Sequence, residues 1–451
     1  MTWNRRYAIR SYVRYSLWVV PFVAMLLEQI ALRVAIAVDS RLHWVPIWPL
    51  SEAGTAAAMQ TIITLSLSFL VFTFGSMLVA IQVASGQLSP RIIATTLLRD
   101  NVIRGTVGLF VFTMLFAIGA VSRPDSTAPR LLIWISAGLG MASLAAFLYL
   151  IDYSARLLRP VSIVWLVGEQ GKGVIEAVYP NPIKETDTGQ HHLPILKPAD
   201  RVVAHNGASA IVLAVNMDML VLEAQKAGVI VALVPRVGDF VATGDPLFWI
   251  HGSSDQVDED VLRDAVAFGR ERTLEQDATF AFRVIVDIAI KALSRAINDP
   301  TTAVLSIDQL HRLLRMVGRR HLHDDQVADA AGHLRVVSPT PNWEDFVELS
   351  CSEIRLYGTD NFQVARRLRA MLLDLLETLP EWRCPALRRE LDLLDQAIDR
   401  LYPLAEDRAM ARIPDMQGLG GSSIVRTRES VNDVPRRSAA NATACVDSPD
   451  T

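Results

Sequence analysis

The chain has 451 residues, a 51% hydrophobic fraction and a formal net charge of −4. The charge is unevenly divided: residues 1–160 hold thirteen Arg, no Lys and six acids, whereas the remainder holds 31 basic and 42 acidic residues. A basic apolar half joined to an acidic half excludes a wholly soluble chain, and it argues against nucleic acid as partner, because phosphate backbones need clustered cations. Cys351, Cys384 and Cys445 are isolated thiols without metal-ligand spacing, suited to packing in a reducing compartment.

Taken in chain order, apolar runs at 15–38, 61–83, 102–121 and 131–151 predict four transmembrane helices. Every position from Ala53 to Pro90 is uncharged, so the second run alone places the protein in a lipid bilayer. The first run is too long for a cleaved signal peptide. Arg5, Arg6, Arg10 and Arg14 precede the first span, Arg91, Arg99 and Arg104 separate the second from the third, and Arg156 and Arg159 follow the fourth. Arg41, Arg123 and Arg130 lie in the opposite loops, so the positive-inside rule places both termini in the cytoplasm.

Two features of these spans carry candidate chemistry. Glu28 and Arg33 interrupt the first span, and a charge at mid-membrane costs roughly 2.5–3.5 kcal/mol, so each needs a partner or water. Five residues separate them, about 500° of helical rotation, so they point to different sides of the helix and are poorly placed to pair. Glu28 either lines a polar path or packs against polar groups of the second span, with Arg33 snorkelling outward. In the second span Thr61, Ser68, Gly75, Gln82 and Ser89 recur every seven residues, a stripe that drifts only about 20° per repeat. Such a small polar face either packs against another helix or lines a cavity, with Gln82 near its cytoplasmic mouth.

A juxtamembrane helix and a Pro-rich linker are expected over 161–199. A small β-rich module follows over 200–255, where RVVAH, AIVLAV, VIVALV and LFWIHG read as strands and Met217 to Lys226 as a short helix. Within it, PRVGDFVATGDPLF has two Gly at turn positions. The pattern is similar to that of barrel-sandwich modules such as biotinyl or lipoyl domains, but their modified lysine has no counterpart, so no cofactor is expected. Residues 256–405 read as a helical cytoplasmic domain and 406–451 as a disordered tail. The predicted fold class is thus mostly α: a four-helix transmembrane domain followed by a cytoplasmic α+β region.

The helical domain holds the densest polar text. Phe280, Val284, Ile288 and Ala292 form an apolar stripe, Asp277 lies in that helix's first turn, and Asp299-Pro300 caps the next helix. Arg272, Gln276, Asp277, Asp287, Asn298 and Asp299 gather around this corner as a candidate ligand site, the competing reading being caps and an Asp287–Lys291 helix pair. His321, His323, Asp324 and Asp325 carry metal-ligand chemistry but read as a solvated polar loop. No catalytic or metal motif is present.

Three strings resemble a known family: AIQVASGQLSPRIIATTLLRDN, RVGDFVATGDPL and RTLEQDATFAFRVIVDIAIKALSRAINDPTTAVLSIDQL. They are similar to the bacterial predicted-membrane-protein family called domain of unknown function twenty-two fifty-four, over roughly residues 10–400. The family's corner usually reads Ser-Pro-Gly-Ile-Asn-Asp-Pro; here Arg295 and Ala296 replace Pro and Gly while Asn298-Asp299-Pro300 is kept. The resemblance implies a multi-pass protein of the bacterial inner membrane and supplies no catalytic residue. From the residues, the expected function is a channel- or transporter-like homo-oligomer with a cytoplasmic regulatory domain. The alternative is a non-conducting scaffold or sensor that binds a protein or small ligand through its helical domain.

Overall fold

The computed structural model describes residues 2–16, 18–39, 41, 52–87, 100–122, 130–157, 159–183, 196, 198–252, 256–322 and 326–420. Four helices in it are long and apolar enough to cross a membrane: α2 (Val19–Asp39), α3 (Glu52–Gln87), α4 (Asn101–Val121) and α5 (Arg130–Leu157). A short α1 (Trp3–Tyr15) precedes them. With 36 residues α3 is about 54 Å long, well beyond a hydrocarbon core of about 30 Å. Its extra turns come from EAGTAAAMQ, an Ala-rich start whose helix propensity extends the span below the apolar run.

Helix α4 lies between α2 and α3 and also meets α5. Small residues permit that central position: a Cβ on Gly119 would fall 2.6 Å from Leu32 Cδ2 and 3.4 Å from Glu28 Oε1. Phe69, Phe110 and Leu150 fill one part of the interior, and Ala35, Phe116 and Leu132 another. Thr113 and Ser143 join α4 to α5 through a buried hydroxyl pair at 2.9 Å.

The start of the chain, the start of α4 and the end of α5 gather on one side of the bundle. Trp3 N donates to Asp264 Oδ2 at 3.1 Å, Arg104 Nη2 donates to Val13 O at 3.4 Å, and the Tyr153 hydroxyl donates to Asp100, the cap of α4. That side carries the C-terminal region, because α5 runs through Arg159 into α6 (Pro160–Val178). On the opposite side Leu131 N donates to Asp39 Oδ1 at 2.9 Å.

The juxtamembrane helix has a protein partner: Ile163, Val167, Gly171 and Ile175 of α6 are buried against the helical core rather than spread on lipid. Strands β1 (Arg201–Ala204), β2 (Ala210–Val215), β3 (Ile230–Leu233), β4 (Phe240–Val241) and β5 (Pro246–His251) follow, with α7 (Met217–Ala227) between β2 and β3. The β-region does not close at 255. After α8 (Glu259–Asp264), β6 (Val266–Gly269) pairs antiparallel with β2, and β8 (Leu334–Val337), itself paired with β7 (Gln326–Ala328), joins β3 in parallel. Two sheets result, ordered β1-β5-β3-β8-β7 and β4-β2-β6. Strands of three or four residues set among polar text give too short a period-two signal to be read in sequence.

The remaining helices are α9 (Ala278–Ala292), α10 (Pro300–Val317), α11 (Trp343–Gly358), α12 (Phe362–Thr378), α13 (Cys384–Leu401) and α14 (Ala405–Ala411). The apolar stripe of α9 is buried together with Leu310, Leu313 and Leu314 of α10, and with Cys351 of α11. Cys384 is also buried, and burial raises both thiol pKa values, which suits packing rather than reactivity. The fold continues past position 406. Arg366 Nε donates to Ile413 O at 3.0 Å and its Nη1 to Gly420 O at 2.9 Å, so a buried arginine binds carbonyls that composition alone assigned to a tail.

Candidate functional site

Within the membrane, Glu28 is 1% exposed and sits at the α2–α4 seam beside Gly119, with Gln29 Nε2 donating to its Oε2 at 2.7 Å. Its neighbour is thus the third span rather than the second, and α4 separates it from α3. Arg33 is exposed on α2.

The α3 stripe points elsewhere. Ser66, Phe69, Leu70, Thr73, Met77 and Ala80 form the buried face of α3, while Thr61, Ser68, Gly75 and Gln82 are exposed. At 100° per residue the two sets lie on opposite sides of the helix. The hydroxyls of Thr61, Thr64 and Ser68 donate to their own helix at Ala57 O, Gln60 O and Thr64 O, each at 2.8 Å. Ser89 lies outside the described residues.

The corner residues divide into three groups. The first locks the β-region onto the start of α9. Arg272 Nε donates to Gly238 O at 2.8 Å, Gln276 Oε1 accepts from Val215 N at 2.9 Å, and Asp277 caps α9 by accepting from Phe280 N at 3.0 Å. Gly238 makes that approach possible, with φ +96° and a would-be Cβ only 2.5 Å from Asp277 Oδ2. Burial pushes the Asp277 carboxyl up, against the opposing pull of Thr279 and Arg272.

The second group is an ion triad. Asp287 pairs with Arg283, one turn before it, rather than with Lys291, and Arg283 also forks onto Glu353 of α11. Glu353 is held below its ordinary pKa and Arg283 above its own, each chiefly by the hydrogen bond to the other. The third group is purely a corner: Asn298 takes a left-handed φ of 49°, and Asp299 Oδ1 accepts from Thr302 N at 3.1 Å as the cap of α10. Asn tolerates that conformation better than most residues.

Between the first two groups lies a groove of about 1020 Å³, lined by Arg272 and the Arg283–Asp287–Glu353 triad, with Lys291, Phe240 and Tyr357 at its walls. Phe240 and Tyr357 are 67% and 57% exposed, so a β-region aromatic and a helix aromatic flank mixed charge. Neither Asn298 nor Asp299 lines it. Arg283, Glu353, Phe240 and Tyr357 were not legible as site residues, since their convergence joins segments 43 and 70 positions apart. Among the described residues no three His, Cys, Asp or Glu converge as metal ligands. His323, Asp324 and Asp325 lie outside them.

These features define a membrane protein with several apolar helices and an appended region of small sheets and helices. The chain belongs to the DUF2254 family, described as predicted membrane protein, whose profile matches residues 14–374. It is 28% identical over 426 residues to uncharacterized proteins of Mycobacterium bovis and Mycobacterium tuberculosis, covering 90% of this chain and 81% of theirs. No solved structure matches it.

Proposed function

We propose that the protein works as a channel- or transporter-like homo-oligomer of the bacterial inner membrane, with both termini and the C-terminal region in the cytoplasm. The observation that carries this reading is the direction of the α3 polar face. Thr61, Ser68, Gly75 and Gln82 point away from the protomer's own core into what would otherwise be hydrocarbon. The amide of Gln82 is costly there, and a second copy of α3 with a hydrated seam relieves that cost. The described bundle interior is filled largely by aromatic and aliphatic side chains, and its hydroxyls at Thr73, Thr113 and Ser143 are hydrogen-bonded within the protomer, which favours a polar path between copies. The orientation rests on the Arg-rich starts of the chain and of α4 lying beside the C-terminal region. In this reading the groove between the β-region and α9–α11 is the regulatory site, and Glu28 is a packing residue of the α2–α4 seam.

Flux through proteoliposomes tests the proposal. Wild-type protein passes ions or small solutes, and Gln82→Leu changes that flux; liposomes that stay impermeable across salt and pH remove the conduction reading. A non-conducting sensor is the second reading, favoured by the α3 hydroxyls bonding to their own helix. It retains the oligomer and the groove without the flux.

A further inference from the structure

A separate groove of about 740 Å³ runs along α10, and none of its lining residues belongs to the groove described above. Asp308, His311, Arg312 and Arg315 cluster on one face of α10, opposite the buried Leu310, Leu313, Leu314 and Val317, and Arg319 follows just past the helix end. Arg320 adds a further guanidinium at the end of the groove.

Carboxylates match only part of this charge. Arg312 Nη1 meets Glu169 of α6 at 2.5 Å, Arg315 reaches Asp374 of α12 at 3.5 Å, and Asp308 is taken by Arg367 at 2.6 Å. His311 Nε2 also holds Asp374, at 2.9 Å, while Arg367 Nη2 donates to its Nδ1 at 3.1 Å, so the ring is a neutral Nε2–H tautomer. Arg319 and Arg320 are held by carbonyls instead: Arg319 Nη2 by Thr378 O at 3.3 Å, and Arg320 Nη1 by Pro180 O at 2.8 Å and Tyr179 O at 3.3 Å. A carbonyl positions a guanidinium without cancelling its charge. At the inner end Arg312 Nε and Nη2 are buried with no hydrogen-bond partner, close to Gly168 of α6, where a Cβ would fall 2.8 Å from Nη2. A buried donor left unmade costs about 1–3 kcal/mol, and more when charged.

We propose that this groove binds a phosphate-bearing anion. Arg315, Arg319 and Arg320 supply preplaced guanidinium forks, whose geometry matches phosphate oxygens. Its volume suits a nucleotide-sized ligand. The groove is tied to α6, the helix that follows the last membrane span, by the Arg312–Glu169 pair. The same position makes a phospholipid headgroup the other source of phosphate.

Full-length protein in detergent, titrated calorimetrically with inorganic pyrophosphate and with ADP, tests the soluble source; melting in phosphatidylglycerol against phosphatidylcholine nanodiscs tests the lipid source. The expected result is saturable, salt-sensitive binding that weakens at least about tenfold in Arg315→Gln/Arg319→Gln. The surface control Arg388→Gln binds as wild type, and Arg319→Lys, which keeps charge but not the fork, falls between. Stabilisation by phosphatidylglycerol alone, lost in the double variant, assigns the phosphate to lipid. Absence of binding in both arms, or equal binding in a double variant that melts as wild type, overturns the site.

Discussion

Gly238 shows how a single residue joins two parts of this molecule. Its φ of +96° already disfavours a side chain, and the space a Cβ needs is held by Asp277 and Arg272. Gly244 shares the conformation, at φ +92°, but has open space around it. Gly238→Ala therefore costs roughly 1–3 kcal/mol and more than Gly244→Ala, measured as the loss of thermal stability of the purified protein. Asp299 is a cap, so Asp299→Ala lowers stability by about 0.5–2 kcal/mol while Asp299→Asn is close to neutral in the same assay. His311 adds a pH dependence. Burial holds its pKa below the ordinary value near 6.5, with Arg367 and Arg315 also lowering it and Asp374 opposing them. The unfolded chain thus takes up a proton at higher pH than the folded one, and stability falls as the pH drops through roughly 6.5. Melting temperatures between pH 7.5 and pH 5.5 should fall further for wild type than for His311→Gln.

Among the elements, the membrane helices were legible because their signal is local: apolar length and missing charge need no knowledge of neighbours. The α9–α10 corner was legible for the same reason, since a buried i, i+4 stripe and an Asp-Pro cap are written in consecutive residues. What sequence could not show was partnership. The packing alternative for Glu28 names the second span, and the residue meets α4 instead; the structural alternative for Asp287 is a pair with Lys291, and it meets Arg283, which also binds Glu353. Strands β6, β7 and β8 return to the β-region from within predicted helical text because pairing, not propensity, defines them. The α10 arginines did leave a mark, HRLLRMVGRR at helical spacing, whose meaning depends on which acids face it. At this scale the stripe of α3 is the telling element. Gly75→Leu, which needs only surface space within the protomer, leaves the folded chain intact but weakens self-association, as read by sedimentation in detergent.

At the scale of the whole molecule, among the described residues, the membrane bundle and the C-terminal region meet where α1 contacts β6, where α5 leads into α6 and where Leu166 of α6 packs on the membrane cluster. Helix α6 is buried among α9 and α10 and follows the last membrane span. This arrangement puts both grooves within mechanical reach of the bilayer and gives an oligomer a way to respond to a ligand. It depends on one claim: the polar face of α3 lies between copies of the chain. Oxidative cross-linking in membranes of variants with one introduced cysteine, made in a Cys445→Ser background that leaves only the buried Cys351 and Cys384, tests that claim most directly. The account predicts dimers from Thr61→Cys, Ser68→Cys and Gly75→Cys and none from Ser66→Cys or Thr73→Cys on the buried face. No cross-link at the exposed positions, or equal cross-linking at both sets, contradicts it.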